Sequence, residues 1–240
     1  MPELVLVVGG GERPPDHLKE AAKEAHLLGV DGGARWILRW GLVPARILGD
    51  LDSLDERTRT YADGFGAPIE KTPDEVHRSD LARVVDVLVG ENPPEVTFTG
   101  CVGTRLDHVM ALFGGMGRLA VSGVKTRFVE RWGTGSVVTP EHPLSLPDLA
   151  AERATFMPLT PEVTGLMLSG FDTGDDPPTT LAPPFDGLCG VPIVSDPAEV
   201  EVESGAVLVV VPRREGVHPP EPRSKTGVPS YRLGTLERTG

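Results

Sequence analysis

Residues 79–101 read SDLARVVDVLVGENPPEVTFTGC, and the hydrophobic period changes halfway along. Leu81, Val84, Val85 and Leu88 recur at helical spacing, with Ser79 placed to cap the start and Gly90 placed to stop the helix. After Asn-Pro-Pro the run EVTFTGC reads as a strand. The same alternation extends in both directions. Upstream, ELVLVVGG, HLLGV, ARILGD and APIEK read as strands, and DHLKEAAKEA, RWILRWG and LDERTRTYADGFG as helices between them. Downstream, RLDHVMALFGGMGRLA reads as a helix and KTRFVE as a strand. Strands alternating with helices predict an α/β fold whose mostly parallel sheet is covered on both faces. In such sheets ligands bind at the carboxyl ends of the strands.

Near residue 131 the pattern changes. GSVVTPEHPLSL, ERATFMPLT, EVTGLMLSG and AEVEVESGAVLVVVPR are short β runs between Pro and Gly turns, with no helical period. The expectation is a catalytic α/β domain over 1–131 and an all-β region over 132–212 folded as a small sandwich. Residues 170–190 read as a long Pro/Gly/Asp-rich loop, and 213–240 as a disordered, Pro-rich tail.

Composition narrows the function. The chain has 240 residues, 24% of them charged, and a formal net charge of −12, which argues against nucleic acid or an anionic membrane as partner. A protein this acidic can handle phosphates only through a metal ion or a few placed arginines. Cys101 and Cys189 lack zinc-ligand spacing and form no disulfide framework. No run reaches membrane-spanning length, and the N-terminus lacks the pattern of a signal peptide, so a soluble cytoplasmic protein is expected.

RILGDLDSLDERT, residues 46–58, carries the strongest chemical signal. Asp50 and Asp52 lie two apart at the end of an apolar strand, so an extended backbone turns both side chains to one side. Two carboxylates so close repel unless a cation joins them, and Mg²⁺ takes oxygen ligands while keeping phosphates in its shell. A solvated acidic turn that caps the next helix is the plain alternative. An EF-hand loop is excluded because its sixth and twelfth positions would hold Asp55 and Tyr61. A haloacid-dehalogenase-like phosphatase also places D-x-D after a strand, but its usual Gly-Thr is absent after Asp52.

Other motifs are weaker alone. DGGA, with Asp31, Gly32 and Gly33, and VVGGGE both follow strands, where glycine lets backbone approach a phosphate or ribose, or simply makes a tight turn. Neither is a Rossmann fingerprint or a P-loop. In GCVGTRLDHVMA, Thr104 and Asp107 have capping-box spacing, which leaves Arg105 and His108 in the first turn near the crevice. An arginine there can grip a phosphate through paired donors. Asp80 opens its helix, either to suit the helix dipole or as a third metal-facing carboxylate.

The order of these motifs resembles the thiamine pyrophosphokinase family: DGGA at 31–34, GLVP at 41–44, GDLDS at 49–53, SD at 79–80 and GTRLDH at 103–108, followed by a β-rich part, over roughly residues 4–212. The resemblance implies a nucleotide-binding α/β domain, a β-sandwich and a homodimer. It implies transfer of the terminal pyrophosphate of ATP to the hydroxyethyl group of thiamine, with AMP released. By resemblance Asp50, Asp52 and Asp80 hold Mg²⁺. Asp31, Gly32, Gly33, Thr104, Arg105 and His108 line the nucleotide site, Asp107 orients or deprotonates the thiamine hydroxyl, and Ser195 serves the thiamine side. Three positions depart from the family pattern: His77 stands for an Asp, Thr104 for a Gly, and Asp196 for an Asn. A different acceptor alcohol and an inactive nucleotide-binding member are the alternatives these departures leave.

Overall fold

The computed structural model describes residues 3–49, 55–71, 79–103, 105–149, 152–175, 177–182 and 187–213. The first half alternates β1 (Leu4–Val8), α1 (Leu18–Ala22), β2 (His26–Val30), α2 (Ala34–Arg39), β3 (Arg46–Gly49), α3 (Glu56–Gly64), β4 (Ile69–Lys71), α4 (Asp80–Glu91), β5 (Glu95–Thr99), α5 (Leu106–Val121) and β6 (Lys125–Glu130). Nine short strands follow: β7 (Gly133–Val138), β8 (Leu144–Leu146), β9 (Arg153–Pro158), β10 (Val163–Thr164), β11 (Met167–Ser169), β12 (Thr180–Leu181), β13 (Leu188–Pro192), β14 (Ala198–Glu201) and β15 (Val207–Pro212).

Strands β6, β5, β1, β2, β3 and β4 lie side by side in that order, all parallel. Among them β1, β2 and β5 lie inside the sheet because they are buried on both faces, whereas the short β4 forms its edge. In β1, Val5 and Val7 point into one core with α4 and α5, whereas Leu6 and Val8 point into another with Leu18, Ala22 and Ile37. The α4 stripe read from sequence packs as expected: Val84, Val85 and Leu88 are fully buried against Val96, Phe98, Leu112 and Met116. Ser79 caps α4 by accepting a hydrogen bond from the Ala82 N–H at 3.2 Å. The helix does not end at Gly90. It runs to Glu91 and closes on Asn92, whose left-handed φ of 48° donates its N–H back to Leu88.

The sheet continues past residue 131. Strands β7, β15, β9 and β13 extend it antiparallel beyond β6, giving ten strands in all. The reason lies in VLVVVP: Leu208 faces the same core as α4 and α5, while Val207, Val209 and Val211 face the other side. A strand buried on both faces belongs inside a sheet. On that other side they share a core with Ala198 and Val200 of a three-stranded sheet ordered β11-β14-β8. The long loop expected over 170–190 is shorter than that: β12 pairs with β10, Leu181 is 2% exposed in the shared core, and β13 begins at Leu188. The expectation of a disordered tail falls, from residue 214 on, outside the described residues.

Candidate active site

Chain direction decides where the site forms. The carboxyl ends of β1, β2 and β5 open onto one cavity of about 460 Å³, walled by the loops that follow them and by the first turns of α4 and α5. From β1 come Gly9, Gly10, Gly11 and Glu12, from β2 Asp31 and Gly32, and from β5 Gly100 and Cys101. Helix α4 brings Ser79 and Asp80, and α5 brings Arg105 and His108.

The two glycine loops are joined by backbone. Gly9 donates to the Thr99 carbonyl at 2.8 Å, Gly11 to Gly100 at 2.8 Å and Glu12 to Val102 at 3.1 Å. A side chain at Gly11 would place Cβ 2.8 Å from the carbonyl oxygens of both Gly100 and Val102. Glycine here is a requirement of backbone contact. Arg35 closes the outer edge, its Nη2 donating to the Gly10 carbonyl at 2.8 Å.

The expected site residues divide three ways. Asp31, Gly32, Asp80, Arg105 and His108 line the cavity together. Asp31 is 8% exposed and holds a left-handed φ of 45° in the turn between β2 and α2. The Asp80 carboxylate is partly buried, 3.5 Å from Arg83 Nη1. Gly33, Asp107 and Ser195 are not among the described residues that line the cavity. Gly33 backs onto β1, where a Cβ would sit 1.9 Å from the Val8 carbonyl oxygen, so its surroundings are backbone. Ser195 is exposed in the β-rich part, beside Gly170. Asp50, Asp52 and Thr104 lie outside the described residues; β3 delivers the chain to Gly49 at the same sheet edge, with the Asp31 side chain against it.

Of the capping box expected from Thr104 and Asp107, Thr104 lies outside the described residues and the Asp107 side chain faces Arg105. Arg105 occupies the N-cap, and the Asp107 carboxylate accepts from Arg105 Nε at 2.9 Å and from Nη2. That guanidinium lowers the Asp107 pKa to about 2. Both side chains stay more than half exposed, so the pair is loosely held and free to exchange partners.

Sequence reasoning missed three contributors. Arg35 and Glu12 carried no motif, and Glu130 ends β6 as an acid 4% exposed among apolar neighbours. It accepts three backbone N–H groups, from Gly100, Cys101 and Val102. Burial, aided by Glu12, pushes its pKa up to about 7, with the three N–H groups holding it down. No local signal marks it, because the donors come from a loop some thirty residues away.

Three carboxylates, two guanidinium groups and glycine-rich backbone around one opening suit a phosphate chain with a hard cation: oxygen donors for the ion, forked donors for phosphate oxygens. Known proteins with similar sequence and fold share one description. Residues 18–126 match the family model for the thiamin pyrophosphokinase catalytic domain. The thiamine pyrophosphokinase of Bacillus subtilis (strain 168) is 26% identical over 175 residues, covering 70% of this chain and 80% of that protein. Its crystal structure superposes with a TM-score of 0.74 at 19% identity, over 87% of this chain and 98% of that one. The Geobacillus thermodenitrificans thiamin pyrophosphokinase gives 0.71 at 20% identity, over 89% and 99%. The Candida albicans enzyme gives 0.71 at 13% identity, over 88% and 90%. The catalytic-domain match, the relative in sequence and the shared fold all make thiamin pyrophosphokinases the proteins that this chain is similar to.

Proposed function

We propose that this protein transfers the terminal pyrophosphate of ATP to the hydroxyethyl group of thiamine, giving thiamine diphosphate and AMP. One observation carries the reading. Within a catalytic-domain match spanning residues 18–126, Asp80 from the start of α4 and Arg105 from the start of α5 open onto the same glycine-walled cavity.

The proposed roles follow from chemistry. Asp50, Asp52 and Asp80 would hold Mg²⁺, whose charge offsets that of the triphosphate in a protein that is itself acidic. Asp80 fits as a ligand because its carboxylate is mostly sheltered and reaches the cavity. Arg105 would exchange Asp107 for a phosphate, its two donors matching two phosphate oxygens. Asp107, with its pKa near 2 while paired, is a poor base. Its part is to accept a hydrogen bond from the thiamine hydroxyl and aim the oxygen at the β-phosphorus; release of Arg105 returns its basicity toward the ordinary range. Asp31 and Gly32 support the nucleotide, with Gly33 and Thr104 setting loop shape, and His108 lines the opposite wall. The chemical step needs alignment and charge neutralisation more than covalent help.

The β-rich region 132–212 is proposed as a sandwich-like thiamine domain, from the core that the three-stranded sheet shares with the end of the large sheet. In a homodimer it would complete the site of the other subunit, which accounts for Ser195 standing apart from the cavity of its own chain. No helix among the described residues is long and apolar enough to cross a membrane.

Chromatography of a reaction containing ATP, Mg²⁺ and thiamine tests the proposal. Thiamine diphosphate and AMP should appear in equal amounts, and Asp52→Asn should slow their formation by orders of magnitude in a folded protein. AMP formed only with another alcohol would reassign the acceptor.

A further inference from the structure

Beneath the cavity, and not lining it, lies Glu130, whose contacts reach the cavity wall in relay. Its Oε1 accepts from the N–H of Cys101 at 2.9 Å and of Val102 at 3.2 Å, and its Oε2 from Gly100 at 3.1 Å. The carbonyls of Gly100 and Val102 in turn accept from Gly11 and Glu12, and the Gly10 carbonyl accepts from Arg35. The relay therefore runs from one carboxylate, through one loop, into a second loop and a cationic side chain that both wall the cavity. Side chains are excluded at these seams: a Cβ at Gly9 would lie 2.6 Å from the Gly100 oxygen, and Gly100 itself holds φ at +63°. Neither loop can take its shape from side-chain packing, so the carboxylate supplies the fixed point.

We infer that Glu130 is a positioning residue for the nucleotide: by gathering three N–H groups of the Gly100–Val102 loop it holds the Gly9–Glu12 loop and Arg35 at the spacing that accepts the phosphate chain. The inference rests on the reading of the cavity as an ATP site. Ionised, the carboxylate offers lone pairs to all three donors. Protonation puts a hydrogen on one oxygen and weakens that pattern. Glutamine at this position would turn an amide N–H₂ toward one of the N–H groups, a donor against a donor. The titratable groups bearing on Glu130 are Glu12, from the first glycine loop and itself accepting from Trp132 Nε1 at 2.6 Å, and the Cys101 thiol, kept neutral by its burial.

The test uses the full chain. In Glu130→Gln at pH 8, KM for ATP should rise about ten-fold, while KM for thiamine and kcat at saturating ATP stay within about three-fold. The wild-type KM for ATP should fall as pH rises through about 7, and the variant should keep only the dependence that ATP itself brings. Should the variant not fold, amide NMR of the wild type decides. Gly100, Cys101 and Val102 should shift with one midpoint near pH 7, and Gly11 and Glu12 should follow. An unchanged KM for ATP, a fall confined to kcat, matching pH profiles, or amides of Gly11 and Glu12 that ignore the titration would overturn the inference. Failure of the wild type to release AMP with thiamine is a separate result and strikes the proposed function instead.

Discussion

Replacing Gly33 by alanine should damage catalysis through packing, although Gly33 is not among the residues lining the cavity. The added Cβ would sit 1.9 Å from the Val8 carbonyl oxygen and 2.7 Å from the Gly9 carbonyl carbon. Ordinary contact begins near 3.4 Å, so the turn must back away from β1 by roughly 1.5 Å. Both colliding groups are backbone, and no rotamer change can relieve them. Overpacking a close-packed interior costs about 1–3 kcal/mol, and this case belongs at the upper end. Asp31 and Gly32 sit in the same turn and wall the cavity, so they move with it. A displacement near 1 Å in positioning groups costs on the order of 100-fold in rate. Urea denaturation and steady-state kinetics with ATP as varied substrate measure both effects. Gly90→Ala is the control: no atom lies within 4 Å of its added Cβ, and it should be neutral or stabilise by up to about 1 kcal/mol. A Gly33→Ala protein with the wild-type urea midpoint and kcat/KM within two-fold would refute the packing argument.

Asp80→Asn should lower kcat/KM by about 100-fold or more with little change in melting temperature, because the side chain keeps its size and loses its charge; wild-type activity at saturating Mg²⁺ would remove Asp80 from the proposed metal site. Ser79→Ala deletes the acceptor that caps α4 and should cost about 1 kcal/mol in denaturant titration. The Glu130 pKa is raised from 4.5 to about 7, so its contribution to stability is complete below pH 4.5 and is lost as pH climbs to 7, on the order of 3 kcal/mol. Urea midpoints across that window should show the slope in the wild type and lose it in Glu130→Gln. Carboxyl NMR should find Asp107 titrating near pH 2, and Arg105→Ala should return it toward the ordinary range of 3.8; an unmoved value would deny the ion pair.

The α/β half was legible in sequence because each helix and strand there is specified by its own periodic residues. Leu81, Val84, Val85 and Leu88 make one face of α4 wherever that helix lies, and LVLVV is apolar on both faces whatever it pairs with. Asn92 displaced Gly90 as the helix end because the left-handed cap tolerates asparagine, a choice that spacing alone does not settle. The C-terminal strands were legible as strands but not in their pairing: β15 joins β7 and β9 in the large sheet, a partnership between residues up to 79 positions apart. The turn chemistry of 170–190 hid β12, whose two residues show no pattern until β10 pairs with them.

The sequence by itself determined the alternation of elements, the order of the acidic and glycine motifs, and hence that Asp31, Asp80, Arg105 and His108 follow strands or open helices. Only the tertiary structure decided that these residues meet at one rim, that Gly33 serves a backbone contact, that Asp107 is occupied by Arg105, and that Glu130 lies under the glycine loops. The physical reason is range. Periodicity and capping act over a few residues and are written locally, whereas a buried carboxylate finds its donors, and a glycine its colliding carbonyl, only after the sheet has brought distant loops within 3 Å.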